Sequence, residues 1–222
     1  MTRGEVGSKV KVVYSVAPAK VCHREERIKE AEEDQSETRS EKSVQNTPKR
    51  NKRNRATRVV TIAGDSMLGG VKKHHFKNLS SQKVYVKCFP GATVDDMNSY
   101  MVPSMKHDPE AVVIHAGTNN LSAQKSPLEI AQEIVNLASS LQTDSNEIII
   151  SSIIRRGDRF QAKATAVNSH LYQLCVDGNF TYLDNSNIRL EHLQKGGHWG
   201  NIHLNDKGTD IFRQNLFDIL SI

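Results

Sequence analysis

From residue 59 onward the chain repeats one pattern, a short apolar run followed by a segment with helical spacing. The apolar, β-rich runs are 59–63, 84–89, 111–115, 147–154 and 180–183. Helical-period segments lie between them at 67–79, 93–106, 127–142 and 160–177, and a last one covers 206–220. Strands that alternate with helices join in parallel, because each crossover carries the chain back to the same edge. The runs are almost continuously apolar, as strands covered on both faces must be. With right-handed crossovers, the expected fold is α/β, three layers (α/β/α) around a five-stranded parallel sheet of order 2-1-3-4-5. In that order a crevice opens beyond the carboxyl ends of the first and third strands.

Local signals agree. Ser126-Pro127-Leu128-Glu129 is a capping box with proline at the first helical position. Thr93-Val94-Asp95-Asp96 is a similar start, with acids at the positive end of the helix dipole. Pro103 kinks or ends the second helix. Asn205 and Asp206 read as the cap of the last one.

Charge divides the 222 residues in two. Residues 1–58 carry 15 Lys/Arg against 9 Asp/Glu, a net of +6, whereas 59–222 carry a net of −1. Residues 1–58 are therefore expected to be a basic, largely disordered tail or linker, with one short strand at 10–16, and 59–222 the folded domain. The segment 49–58 holds six Lys/Arg: Lys49, Arg50, Lys52, Arg53, Arg55 and Arg58. With no aromatic residue for base stacking, it suits phosphate contact with RNA or DNA, a nuclear-import signal or a solvated linker. Cys22, Cys88 and Cys175 are far apart with no CxxC pair, which argues against a zinc site and a disulfide framework. Cys88 and Cys175 read as small buried hydrophobes. No run is apolar enough to span a membrane, and the start lacks the core of a signal peptide, so an intracellular location, cytoplasmic or nuclear, is expected.

The loops that share the crevice carry the chemistry. The first strand runs into Gly64-Asp65-Ser66, the second into Pro90-Gly91-Ala92 and the third into Ala116-Gly117-Thr118-Asn119-Asn120; Gly200-Asn201-Ile202-His203 precedes the last helix. These residue types fit acyl transfer. Ser66 would attack a carbonyl, and His203 would take its proton and return it to the leaving group. The backbone N–H groups of Ser66 and Gly91 and the side-chain amide of Asn119 would hold the oxyanion. By itself the Ser66 octapeptide is better read as a strand that ends in a turn with an ordinary N-cap serine.

The four segments together resemble the blocks of the SGNH (GDSL-type) esterase/lipase superfamily, named for Ser, Gly, Asn and His. Gly64-Asp65-Ser66 is similar to the first block, Gly91 to the second, Gly117-Thr118-Asn119 to the third and His203 to the last, in the right order over 59–222. The resemblance implies a serine hydrolase of small esters or acetyl esters that needs no cofactor or metal. Its catalytic residues would be Ser66 and His203, its oxyanion hole Ser66, Gly91 and Asn119, and its supporting residues Gly64, Asp65 and Gly117. The run Ile-His-Ala-Gly-Thr-Asn-Asn-Leu at 114–121, with His203-Leu204-Asn205-Asp206-Lys207-Gly208, is more similar still to the esterase-like domain in the first open reading frame of animal non-LTR retrotransposons. There the domain follows nucleic-acid-binding segments, as a basic tail would here. The sequence departs from the superfamily in two places. The aspartate usual three residues before the histidine is Gly200, which leaves a Ser-His dyad or a weakened enzyme. Asn120 stands where the third block more often has aspartate, a tolerated change. The alternative function is thus a catalytically weakened module of retroelement origin that binds nucleic acid through its tail.

Other residues read more plainly. Asp65 anchors the turn through backbone N–H bonds. His115 ends a buried strand as a satisfied core histidine rather than a base. Trp199, beside His198, lines the crevice or packs as a lid. His74 and His75 with Lys72 and Lys73 form a solvated face, and Arg155, Arg156 and Arg159 form a surface loop near the same edge. No His or carboxylate pair has a convincing metal spacing.

Overall fold

The structure of the chain, a computed structural model, describes residues 12–13, 57–196 and 201–222. Of the proposed tail only residues 12–13, 57 and 58 are described, and Arg58 belongs to the domain as the first residue of a strand, paired with Glu147; Lys49, Arg50, Lys52, Arg53, Arg55 and Cys22 lie outside the described residues. So do His198, Trp199 and Gly200. The chain divides into two compact units, residues 1–16 with 56–222 and residues 17–55. Everything below concerns the first.

Its strands are β1 (Val12–Val13), β2 (Arg58–Gly64), β3 (Gln82–Cys88), β4 (Ala111–His115), β5 (Glu147–Ser151) and β6 (Thr181–Leu183). The helices are α1 (Val94–Ser104), α2 (Pro127–Leu141), α3 (Gln161–Gly178) and α4 (Asp206–Leu220). All pairings are parallel, in the order β1-β6-β5-β4-β2-β3. The five strands expected from the sequence stand in the expected order. The two-residue β1 extends the sheet beside β6, and the rest of the expected strand 10–16 is outside the described residues.

The sheet sorts its side chains by the two-residue period of a strand. Val60 and Ile62 of β2, with Val113 and Ile149, face Phe212, Leu216 and Ile219 of α4. Ala63, Val112, Ile114, Ile148 and Ile150 face α1, α2 and α3 through Met97, Met101, Ile130, Ile134, Val167 and Leu171. β4 is buried at all five positions, so both layers close over it. Burial of each large side chain stabilises by about 1.5–3 kcal/mol, and this two-sided core fixes where the strands end.

The helical stretch expected at 67–79 takes another form. It is two short 3₁₀ segments, Ser66–Gly70 and Lys73–Phe76. Met67, Leu68 and Phe76 still turn inward. Gly69-Gly70 gives the backbone too little helical preference to carry an α-helix through, and the segment bends back toward β3 instead. Both expected capping boxes form, Thr93 with Asp96 and Ser126 with Glu129. Asn205 alone accepts the capping bond of α4, from Gly208 N–H at 2.9 Å, while Asp206 is the first helical residue. Cys175 is buried, but Cys88 is only half-buried, because β3 is an edge strand.

Candidate active site

The crevice is assembled by cross-bonds between loops that are distant in sequence. Gly64 O accepts from Phe89 N–H at 2.8 Å, which ties the end of β2 to the Pro90-Gly91 turn. Asp65 N–H donates to His115 O at 3.1 Å, which ties the serine turn to the end of β4. Asn119 Nδ2 donates to Ala92 O at 2.8 Å, and Asn120 Oδ1 accepts from Val94 N–H at 3.0 Å, so the third loop grips the second from two sides. Asn120 also reaches Glu133 on α2 at 3.3 Å. An amide serves this place well, since it accepts from one partner and donates to the other.

Ser66 opens the first 3₁₀ segment and is half-buried between the buried Asp65 and Met67. Asp65 is its N-cap, with Oδ1 accepting from Met67 N–H at 3.0 Å. The turn cannot carry a side chain at position 64, where an added Cβ would lie 2.5 Å from His115 O. Among the described residues, neither Oγ nor N–H of Ser66 has a hydrogen-bond partner, and Ser66 and His203 are not hydrogen-bonded to each other. The N–H of Gly91 is likewise without a partner among the described residues. Gly91 has a φ of 81° with no atom within 4 Å of where a Cβ would stand, so its backbone faces open space in a conformation that suits glycine. Asn119 is half-buried, and only one of its two amide hydrogens is engaged.

His203 reaches the domain on a different scaffold. Its carbonyl accepts from Gln194 N–H at 2.8 Å, and Leu193 and Leu204 form an isolated antiparallel bridge. Asn201, at a φ of 63°, accepts from Gly157 N–H at 2.6 Å and donates its own N–H to Gln194 O at 2.6 Å. Asn205 Nδ2 holds Glu191 O at 2.9 Å and Leu193 O at 3.1 Å. The half-buried imidazole thus sits three residues ahead of α4, on a loop braced from behind. The serine side and the histidine side meet through α4. A Cβ at Gly70 would lie 2.5 Å from Thr209 Cγ2, and the Phe212 ring packs 5.0 Å from that of His115. The start of α4 therefore packs against the segment that begins at Ser66.

Sequence reasoning passed over a buried polar network behind the serine turn. His115 Nδ1 lies 3.0 Å from Ser151 Oγ, which accepts from Asn185 Nδ2 at 2.8 Å. Asn185 Oδ1 accepts from Asn215 Nδ2 at 3.0 Å, and Asn215 and Asn187 exchange bonds of 2.8 and 2.9 Å. His115 is not a satisfied core histidine, because its buried Nε2 has no hydrogen-bond partner. Burial lowers its pKa from the ordinary 6.5, with Asp65 acting in the opposite direction. One signal was legible: Asn215 falls in the apolar stripe Phe212, Leu216, Ile219 of α4, where an amide needs an explanation.

Arg156 is buried and pairs with Asp158, so it braces the loop after β5 rather than standing in solvent. A cavity of about 490 Å³ opens beyond β5 and β6 and is lined by Arg155, Tyr172, Asp184 and Asn185 among others. None of Ser66, Gly91, Asn119 and His203 lines it. Among the described residues, no group of three or more His, Cys, Asp or Glu could hold a metal, and no helix is long and apolar enough to cross a membrane.

No protein-family profile and no curated protein matches the sequence. Solved structures do match the fold. A GDSL-like lipase from Bacteroides thetaiotaomicron superposes with a TM-score of 0.61 at 14% identity, over 74% of this chain and 88% of that one. A catalytic mutant of an acetylxylan esterase from Geobacillus stearothermophilus gives 0.62 at 14% identity, over 75% and 95%. A lipolytic protein of the G-D-S-L family from Veillonella parvula gives 0.61 at 14% identity, over 73% and 98%. At these identities the likeness establishes the architecture, a three-layer parallel sheet of the kind those esterases use.

Proposed function

We propose that residues 59–222 form an SGNH-type serine hydrolase that cleaves an ester or acetyl ester. Ser66 Oγ attacks the acyl carbon while His203 takes its proton. The carbonyl oxygen becomes an oxyanion held by the N–H of Ser66, the N–H of Gly91 and the second amide hydrogen of Asn119. Collapse expels the alcohol, which takes the proton from His203. A water molecule then repeats the sequence on the acyl-serine and releases the acid.

One observation carries this reading: two backbone N–H groups from different loops are left uncommitted on turns that are themselves cross-bonded. Uncommitted donors held by rigid loops are what oxyanion stabilisation requires, because they need no reorganisation during the reaction. The substrate-side names of the structural neighbours, lipase and acetylxylan esterase, point to the same bond type.

The test is covalent labelling by a fluorophosphonate and turnover of a short-chain aryl acetate. Both are expected from the parent and neither from Ser66→Ala. A parent inert to both reagents refutes the assignment.

A second reading is favoured by Gly200, which removes the aspartate that would orient the imidazole. In it the domain is a weakened SGNH-like module of retroelement origin, and the basic residues 49–58 bind RNA or DNA. Salt-dependent binding of single-stranded nucleic acid that vanishes on removal of residues 1–58, together with an inert Ser66, is the outcome that selects it.

A further inference from the structure

Two buried groups of complementary chemistry face each other directly behind the serine turn, and the reaction above uses neither. Asp65 is fully buried; its Oδ1 caps Met67, and its Oδ2 has no hydrogen-bond partner among the described residues. His115 is also fully buried, with Nε2 unpartnered and 4.0 Å from Asp65 Oδ1. A buried carboxylate is costly unless donors face it, so this proximity is a constraint and not an ornament of packing.

The network behind the ring accommodates the tautomer that suits Asp65. Asn215 Nδ2 donates to Asn185 Oδ1 at 3.0 Å, which fixes the Asn185 amide with its nitrogen toward Ser151 and Ser152. Asn185 Nδ2 donates to Ser151 Oγ at 2.8 Å, which leaves that hydroxyl able to donate to His115 Nδ1, 3.0 Å away, and the carboxylate on the far side of the ring favours this arrangement over a bare Nε2. A neutral imidazole that accepts at Nδ1 carries its hydrogen on Nε2. On Nε2 it lies on the side of Asp65, whose Oδ1 is 4.0 Å away, so it meets the carboxylate as an electrostatic neighbour rather than in a hydrogen bond. The Phe212 ring, 5.0 Å from the imidazole, packs against it from α4.

We propose that His115 is the positioning residue of the Ser66 turn, and that its Nε2–H holds the Asp65 carboxylate, which in turn fixes the Ser66 backbone N–H and side chain. The inference rests on the hydrolase reading for its catalytic consequence, but not for its geometry. Asp65 links the end of β2 to Ser66, and its own N–H is bonded to His115 O at 3.1 Å, so the two residues grip each other through backbone and side chain together. A turn displaced by a fraction of an ångström misaims both the nucleophile and one oxyanion donor, and a misplacement of 1 Å can cost about 100-fold in rate.

The experiment has two arms on the full chain. In the first, ¹⁵N-histidine NMR identifies the His115 resonances by their loss in His115→Asn. A protonated Nε2 and a bare Nδ1 between pH 6 and 8 are expected. A proton on Nδ1 overturns the proposal whether or not the chain hydrolyses anything. In the second arm, His115→Asn keeps an amide within reach of Ser151 but not of Asp65, whereas His115→Gln sets an amide N–H where Nε2 stood. His115→Asn is expected to lower kcat on an aryl acetate by about 10-fold or more with KM nearly unchanged, and to slow fluorophosphonate labelling equally. His115→Gln is expected to recover most of that loss. Parent-like turnover by His115→Asn overturns the proposal. So do equal losses in both variants that follow the folded fraction measured by circular dichroism. A parent inert to ester and probe refutes the hydrolase reading instead, and the tautomer then decides the positioning claim alone.

Discussion

The two sides of the crevice are built by different means. The serine side is made of strand ends: β2, β3 and β4 stop at one level, and Gly64 O, Asp65 N–H and Asn119 Nδ2 stitch their loops together. Its geometry is inherited from the sheet. The histidine side is a loop held by the bridge of Leu193 to Leu204, by Gly157 and Gln194 through Asn201, and by the Asn205 cap of α4. The Ser66 hydroxyl thus rides on a turn tied to three strand ends, and His203 on a loop held by a few bonds to other loops. Groups on strands are placed by many contacts at once, whereas a loop group depends on a few named bonds.

The comparison breaks most sharply at the two reacting groups themselves. Ser66→Ala and His203→Ala are each expected to lower kcat by about 10³-fold or more in an aryl acetate assay. Ser66→Ala should leave the thermal midpoint almost unchanged, because Ser66 Oγ bonds to no described residue. A Ser66→Ala protein with parent turnover removes the serine side from the chemistry.

Acid acts on the serine side through His115. Burial holds His115 neutral by lowering its pKa from 6.5. The unfolded chain therefore binds a proton below pH 6.5 that the folded one refuses, and stability is lost as pH falls from there toward the depressed folded value. The slope from this residue reaches at most about 1.4 kcal/mol per pH unit. Urea unfolding of the parent and of His115→Gln at pH 7.5 and 5.5 measures it, with the parent expected to lose more on acidification. Equal losses show that the network behind Asp65 does not exclude the proton.

Two caps then sharpen the contrast, because each stands two residues beyond a crevice group. Thr93 follows Gly91 and caps α1; Asn205 follows His203 and caps α4. Replacing either with alanine is expected to cost about 1 kcal/mol of stability. The effect on kcat should differ. Gly91 is also held through Phe89 and Ala92, so Thr93→Ala should leave kcat within about 2-fold, whereas Asn205→Ala also frees Glu191 O and Leu193 O and should lower it several-fold. Urea midpoints read with kcat on one substrate separate the two. Matching kcat losses would mean that the loop of His203 is as firmly held as the turn of Gly91.

What the sequence revealed follows the same division. Apolar runs report burial on both faces, so all five strands and their order were legible from 59–183, as was the meeting of their loops. The 67–79 segment misled because Met67, Leu68 and Phe76 bury as a helix would bury them, while Gly69-Gly70 withholds the backbone preference that would make it one. The Ser151–Asn185–Asn215 network was invisible for a different reason: each member looks like an ordinary polar residue, and only the folded chain puts their donors and acceptors in order. Asn119, by contrast, was legible as a loop amide but not as one already half-spent on Ala92.

The smallest expected effect probes the serine turn from its edge. Cys88 Sγ lies 3.3 Å from Asp65 O and donates to it, and its pKa is raised by burial first and by Asp65 next. Cys175 is on the buried face of α3, and burial pushes its thiol to about 12. The thiolate is the nucleophile, so iodoacetamide at pH 8 should modify Cys88 slowly and Cys175 hardly at all in the folded chain. Peptide mapping separates both from Cys22. An amide group added at Cys88 crowds the carbonyl behind Ser66, and kcat should fall about 2-fold in step with modification, far less than for any change to the reacting groups. Faster modification of Cys175 than of Cys88 would mean that the α3 layer opens before the sheet edge does, which reverses the order that burial sets between them.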